Sequence, residues 1–144
     1  PYIYEADTKF EIGGSHIVRE GGDLTIIANG IMVATALDAA VELAKDGIEA
    51  RVVDLYSLRP IDTETIVAAA QETGAIVCAE EHLLQGGMGS NVARIVAQSQ
   101  PVPMRFVGLA DVYVESGDPW DLLKKYKLTS DDIVAAAKAA FEAK

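Results

Sequence analysis

Three short apolar runs, LTIIANG (24–30), EARVVDLYSL (49–58) and AIVCAEE (75–81), each give way to a helical pattern, and this alternation constrains the chain most. The runs are apolar at consecutive positions and bounded by Gly, Asp or Pro, as strands covered on both faces must be. After the first, IMVATALDAAVELAKDG (31–47) places Met32, Ala36, Leu37, Ala40, Leu43 and Ala44 on one helical face and ends in Asp-Gly. After the second, Asp62 precedes TETIVAAAQETG as a natural N-cap, with Glu64 in the first turn. The third leads through a glycine loop into SNVARIVAQSQ (90–100), and PVPMRFVGLAD (101–111) supplies a further strand. Helices then follow over 119–126, with Pro119 in the first turn, and over 129–144. Thr129 or Ser130 caps the last helix, where Asp131 and Asp132 complement its dipole.

Strands separated by helices of about 10 to 15 residues predict a parallel sheet with helices on both faces and right-handed crossovers. HIVRE (16–20) breaks the rhythm. Only Gly21, Gly22 and Asp23 separate it from the next run, too few for a parallel crossover, so it is expected to run opposite to the other strands in a mixed sheet.

A length of 144 residues suits one domain, 1–144, with a core that needs neither disulfides nor metal. A net charge of −10 excludes nucleic-acid binding through phosphate neutralisation, which requires a basic face. The single cysteine, Cys78, sits in an apolar run; this excludes a disulfide framework and is read as an intracellular, cytoplasmic setting and a small apolar core residue. No apolar run approaches the roughly 20 residues that span a bilayer, and no signal-peptide pattern opens the chain. PYIYEAD reads instead as a chain already in progress, a section of something longer.

EEHLLQGGMGS (80–90) is the stretch that most resembles a site. It lies at the carboxyl end of a strand, where ligands of such sheets usually sit. Glycines ahead of a helix expose N–H groups to an anion, which makes Gly87, Gly89, Ser90 and Asn91 a weak anion site. The spacing matches neither a P-loop nor a dinucleotide fingerprint. The favoured reading is conformational: the glycines turn the chain sharply and bring helix close to strand, with Gly87 or Gly89 at positive φ. Glu80 and Glu81 are adjacent and point to opposite faces, so they cannot act as a pair; one is expected to cap a nearby helix or join an inter-domain ion pair. His82 lacks converging partners for a metal, with His16 far off, and no nucleophile accompanies it. Arg59 is read as a salt-bridge residue and Trp120 as a packing anchor, with an interface role the lesser alternative.

Three stretches carry a resemblance. GDLTIIANGIMVATALDAAVELAKDGIEARVVDLYSLRPIDTETI, EEHLLQGGMGS and ESGDPWDLLKKYKLTSDDIVAAAKAAF together resemble the C-terminal domain of the transketolase family, and the match is collinear over essentially the whole chain. Related domains close the 1-deoxyxylulose-5-phosphate synthases and the 2-oxo acid dehydrogenase E1 β subunits; the Ser-Gly and Pro-led helix near 116–119 resemble the transketolases more. The resemblance implies a three-layer α/β/α fold around a five-stranded mixed sheet whose first strand is antiparallel. It also implies membership of an enzyme that moves two-carbon ketol units between sugar phosphates in the pentose phosphate pathway, on thiamine diphosphate and Mg held by other domains. This chain lacks the G-D-G…N metal and diphosphate motif, so it is expected to bind neither cofactor nor metal and to hold no catalytic residue. Its expected partners are the other domains or subunit of the same enzyme and a second copy in a homodimer, with no nucleic acid and no membrane. The alternative from the residues alone is a regulatory module binding a small anion or nucleotide at the 86–90 loop.

Overall fold

The computed structural model describes residues 2–144. Its elements are β1 (His16–Arg19), β2 (Leu24–Ala28), α1 (Met32–Lys45), β3 (Ala50–Asp54), α2 (Thr63–Thr73), β4 (Ile76–Leu83), α3 (Met88–Ser99), β5 (Met104–Leu109), α4 (Pro119–Lys125) and α5 (Ser130–Glu142). The strands form one five-stranded sheet in the order β1-β3-β2-β4-β5; β1 is antiparallel to β3 and every other pair is parallel.

Alternation along the central strands divides the core in two. Leu24, Ile26, Ala28, Val77 and Ala79 pack with α1 and α5 on one face. Ile27, Ile76 and Cys78 pack with α2 and α3 on the other, completing three layers. On this second face Thr25 and Thr73 share a buried hydrogen bond of 2.8 Å, and the Thr73 hydroxyl lies 2.8 Å from the Ala69 carbonyl.

The direction of β1 is the expected one, but its partner is β3 rather than the next strand in sequence. The chain leaves β1, crosses the amino end of β3 and only then enters β2. Gly21 permits that crossing, because a Cβ there would stand 2.4 Å from the Ala50 carbonyl carbon and 2.5 Å from the Arg51 nitrogen. The Asp23 N–H donates to the Glu49 carbonyl at 3.0 Å, and the Asp23 carboxylate accepts the Glu49 N–H at 2.7 Å, which pins the crossing in register.

Local chemistry sets the helix ends. Asp62 accepts the Thr65 N–H at 3.1 Å, and Gly74 closes α2 at a φ of 72°. Thr129 rather than Ser130 caps α5, through a capping box with Asp132. In α1 the buried stripe is Met32, Val33, Ala36, Ala39, Ala40 and Leu43, while Leu37 and Ala44 are only half-buried. The stripe is wider on the Ala39 side because α1 packs against α5 as well as the sheet.

Candidate functional site

β4 reaches past the core to His82 and Leu83, and side-chain alternation along it separates the two glutamates. Glu80 shares the face of Cys78 and lies against α3; Glu81 faces the other way, toward α4. The head of α3 needs a partner, since its N-cap is Gly87, which has no side chain to offer the free N–H groups of the first turn. Glu80 supplies it from the neighbouring strand. Its two carboxylate oxygens accept the Met88 N–H at 2.6 Å and the Gly89 N–H at 3.0 Å, and the residue is 1% exposed. A full negative charge so placed at the positive end of a helix makes two charge-assisted hydrogen bonds.

This cap explains the glycines, and corrects the expectation about their backbone. Gly87 has a φ of −79° and Gly89 lies within α3, so neither occupies the left-handed region; Gly86 does, at 77°. What Gly87 and Gly89 provide is space. A Cβ on Gly87 would meet the Glu80 carboxylate at 2.4 Å and the Leu83 carbonyl oxygen at 2.6 Å. One on Gly89 would meet Phe106 at 2.9 Å and Cys78 at 3.2 Å. The loop therefore turns at Gly86 and closes onto the strand at Gly87 and Gly89.

The four residues of the weak anion site share this turn, and several of its groups are already engaged. The Gly89 N–H is bound to Glu80, and the Asn91 N–H lies 3.4 Å from the Gly87 carbonyl. The Ser90 hydroxyl donates to the Leu84 carbonyl at 2.7 Å while accepting the Gly86 N–H at 3.2 Å. The anion at this helix head is the chain's own carboxylate.

The remaining sequence candidates do not converge. His82 is exposed, and its Nδ1 donates to the carbonyl of Leu83 at 2.9 Å, which places the proton on that nitrogen. His16 lies on β1, with β3 and β2 between it and β4. Among the described residues no group of three His, Cys, Asp or Glu side chains is placed to hold a metal ion. Cys78 is buried, and burial, followed by the charge of Glu80, raises its thiol well above the ordinary range, which disfavours thiolate chemistry. Arg59 is exposed and makes no ion pair among the described residues. Trp120 is 69% exposed and anchors no core. Leu122 and Leu123 are the half-buried residues of α4, while Trp120 at its first turn stays on the surface.

A second constellation went unread in the sequence. Tyr4 donates its hydroxyl hydrogen to Asp54 at 2.5 Å, and Asp54 is 6% exposed at the carboxyl end of β3. The rings of Tyr4, Phe10, His16 and Tyr56 pack around it with centroids between 4.9 and 5.4 Å apart. Burial pushes the Asp54 carboxyl above its ordinary range, against the hydrogen bond from Tyr4 and the charge of His16; its Oδ1 has no hydrogen-bond partner. The Tyr4 phenol is raised in turn, by burial first and then by Asp54. This clasp holds the segment before β1 against the edge of the sheet.

With that geometry in place, comparisons with known proteins agree on one family. Residues 13–133 match the family model described as "Transketolase, C-terminal domain". The 6-deoxy-6-sulfo-D-fructose transketolase subunit of Clostridium sp. (strain MSTE9) is 44% identical over 142 residues, covering 99% of this chain and 44% of that protein. An apulose-4-phosphate transketolase subunit of Phocaeicola vulgatus is 39% identical, over 95% of this chain and 44% of that protein. The 1-deoxy-D-xylulose-5-phosphate synthase of Desulforudis audaxviator is 41% identical, over 89% of this chain and 20% of its own length. A split-gene transketolase solved as an inactive beta4 tetramer superposes with a TM-score of 0.96 at 49% identity, over all of this chain and 47% of that one. The chain thus spans less than half the length of each of these relatives.

Proposed function

From a chain that belongs to the transketolase C-terminal domain family, we propose the assembly part of a two-gene, thiamine-diphosphate-dependent transketolase. Its work is to hold other parts of the enzyme together, and to pair with a second copy of itself. The observation that carries this reading is the Glu80 cap, which directs the one buried carboxylate of the 80–90 loop to helix α3 rather than to a reacting group. The relatives named as transketolase subunits support the two-gene arrangement, and a parent enzyme that transfers ketol units of phosphorylated or sulfonated sugars fits their range. A place in the pentose phosphate pathway is one member of that range. A cytoplasmic setting goes with the proposal; among the described residues no helix is long and apolar enough to cross a membrane.

Thiamine diphosphate does not fit the loop of this chain. Its diphosphate would approach N–H groups already bound to Glu80, beside a buried negative charge. Cofactor and Mg are assigned to the remainder of the enzyme. A calorimetric titration of the isolated chain with thiamine diphosphate and Mg is expected to show no binding, and mixed sugar phosphates no turnover. Activity is expected only when the remainder of the subunit and the complementary subunit are both present. Micromolar cofactor binding by this chain alone defeats the proposal. Phosphate and nucleotides, run in the same titration, test the regulatory alternative, for which heat of binding abolished by a bulky residue at Ser90 is the required result.

A further inference from the structure

Residues 2–15 form no helix or strand, yet they follow a defined path over the carboxyl end of β3 and the amino end of β1. Its last part is fixed by local bonds. The Glu11 N–H donates to the Tyr56 hydroxyl at 3.3 Å, the Gly13 N–H to the Ser57 hydroxyl at 2.9 Å, and the Ser15 hydroxyl to Asp62 at 2.8 Å. Ahead of Glu11 the attachments gather at one cluster. Tyr4 donates to Asp54, the His16 Nε2 donates to the Lys9 carbonyl at 3.0 Å, and the Phe10 ring packs among Tyr4, His16 and Tyr56.

This cluster closes over a carboxyl group that it does not fully satisfy. Tyr4 serves Oδ2 of the buried Asp54, while Oδ1 is buried with no partner. A carboxylate so placed keeps a desolvation cost unless a counter-charge or a proton offsets it. The ionisable groups around it are Tyr4 from the segment, His16 opposite it on β1, and Tyr56 against the His16 ring. Asp38 of α1 lines, with Tyr4 and His16, the adjoining cavity of about 530 Å³. Of these only His16 can carry a positive charge.

A proton on Asp54 removes the uncompensated charge and keeps the Tyr4 bond, because a neutral carboxyl still accepts through its carbonyl oxygen. Opening the cluster returns Asp54 to water, where the ionised form is favoured. The closed arrangement therefore holds a proton that the open one releases, in keeping with a carboxyl raised by burial. As pH rises His16 can only lose charge, so both groups act in the same direction.

We infer that residues 2–12 are a proton-dependent strap, held on the sheet by the Tyr4–Asp54–His16 cluster when Asp54 is protonated and released when it is ionised. These residues lie ahead of the 13–133 stretch that matches the family model, and none of them is fully buried. The strap can thus leave without opening the core, and its release does not depend on the assembly role.

Hydrogen exchange of the 144-residue chain between about pH 4 and pH 7 tests this, with each rate corrected for its intrinsic pH dependence. The Glu11 amide reports the strap, and the Val52 amide within β3 reports global opening. One proton bound on closing makes Glu11 protection fall by up to about tenfold per pH unit between 3.8 and the raised value of Asp54, with Val52 far more protected throughout. Asp54→Asn, a neutral isostere, is expected to hold Glu11 protection level across the range. Tyr4→Phe, which loses the bond, is expected to lower it at every pH. Circular dichroism checks that both variants fold. Constant Glu11 protection in the wild type, equal protection of Glu11 and Val52, a pH dependence that persists in Asp54→Asn, or a Tyr4→Phe strap as protected as the native one overturns the assignment.

Discussion

Replacing Glu80 by Gln perturbs the head of α3 with the least change of shape. In the native chain both oxygens accept buried N–H groups, from Met88 at 2.6 Å and Gly89 at 3.0 Å. Glutamine keeps one acceptor but turns an NH2 group toward the second N–H, so two buried donors face each other. A hydrogen bond to a charged group contributes roughly 1.5–3 kcal/mol, and a buried donor left unsatisfied costs about 1–3 kcal/mol. These describe the same loss from two sides and do not add. Weakening the charge–dipole attraction costs about 0.5 kcal/mol more. The expected destabilisation is therefore about 2–3 kcal/mol. A chain of this size loses about 3–4 °C of Tm per kcal/mol, which gives a fall of roughly 6–12 °C. Glu81→Gln is the control, since Glu81 is exposed, and it should stay within about 0.5 kcal/mol of the native chain. Urea unfolding followed by far-ultraviolet circular dichroism, with the slope m unchanged, reads both. If Glu80→Gln and Glu81→Gln unfold together, the cap reasoning fails.

Other outcomes follow from the same contacts. Gly87→Ala should destabilise by about 2–3 kcal/mol, because its Cβ meets a buried carboxylate and a backbone oxygen; Gly89→Ala should cost less, since its closest contact is the half-exposed Phe106 ring and alanine favours a helix by about 1 kcal/mol. Equal effects on the urea midpoint would contradict this order. Gly21→Ala should cost about 1–3 kcal/mol or more through its 2.4 Å approach to the backbone of β3, and an unchanged midpoint would remove the role given to that crossing. For Asp54 the folded pKa lies above the ordinary 3.8, so the folded state holds the proton longer than the unfolded state. Stability contributed by this group is thus lost as pH rises from 3.8 through the raised value, and Asp54→Asn should be relatively more stable near pH 7 than near pH 4. A stability difference between the two proteins that does not change over this range would refute the reading.

The alternation of runs and helices was legible because burial on both faces imposes it residue by residue, and the antiparallel sense of β1 was legible because three residues cannot make a parallel crossover. The caps Asp62 and Thr129 were legible for the same local reason: a side chain bonding to an N–H three residues on needs nothing from elsewhere. Glu80 was half legible. The glycine at the N-cap of α3 signals a helix without its own cap, and the shared parity of Cys78 and Glu80 names the side on which a cap from the strand would lie; which N–H groups it meets depends on how closely α3 sits on β4. The partner of β1, the space required at Gly21, Gly87 and Gly89, the Tyr4–Asp54 clasp across 50 residues and the exposure of Trp120 were not legible. The sequence by itself determined the elements, their order and the face each residue prefers, because those follow from interactions within a few residues along the chain. Only the tertiary structure decided which strand lies beside which, which glycine needs room and which apolar side chains remain uncovered, because each depends on atoms brought together from distant parts of the chain by packing.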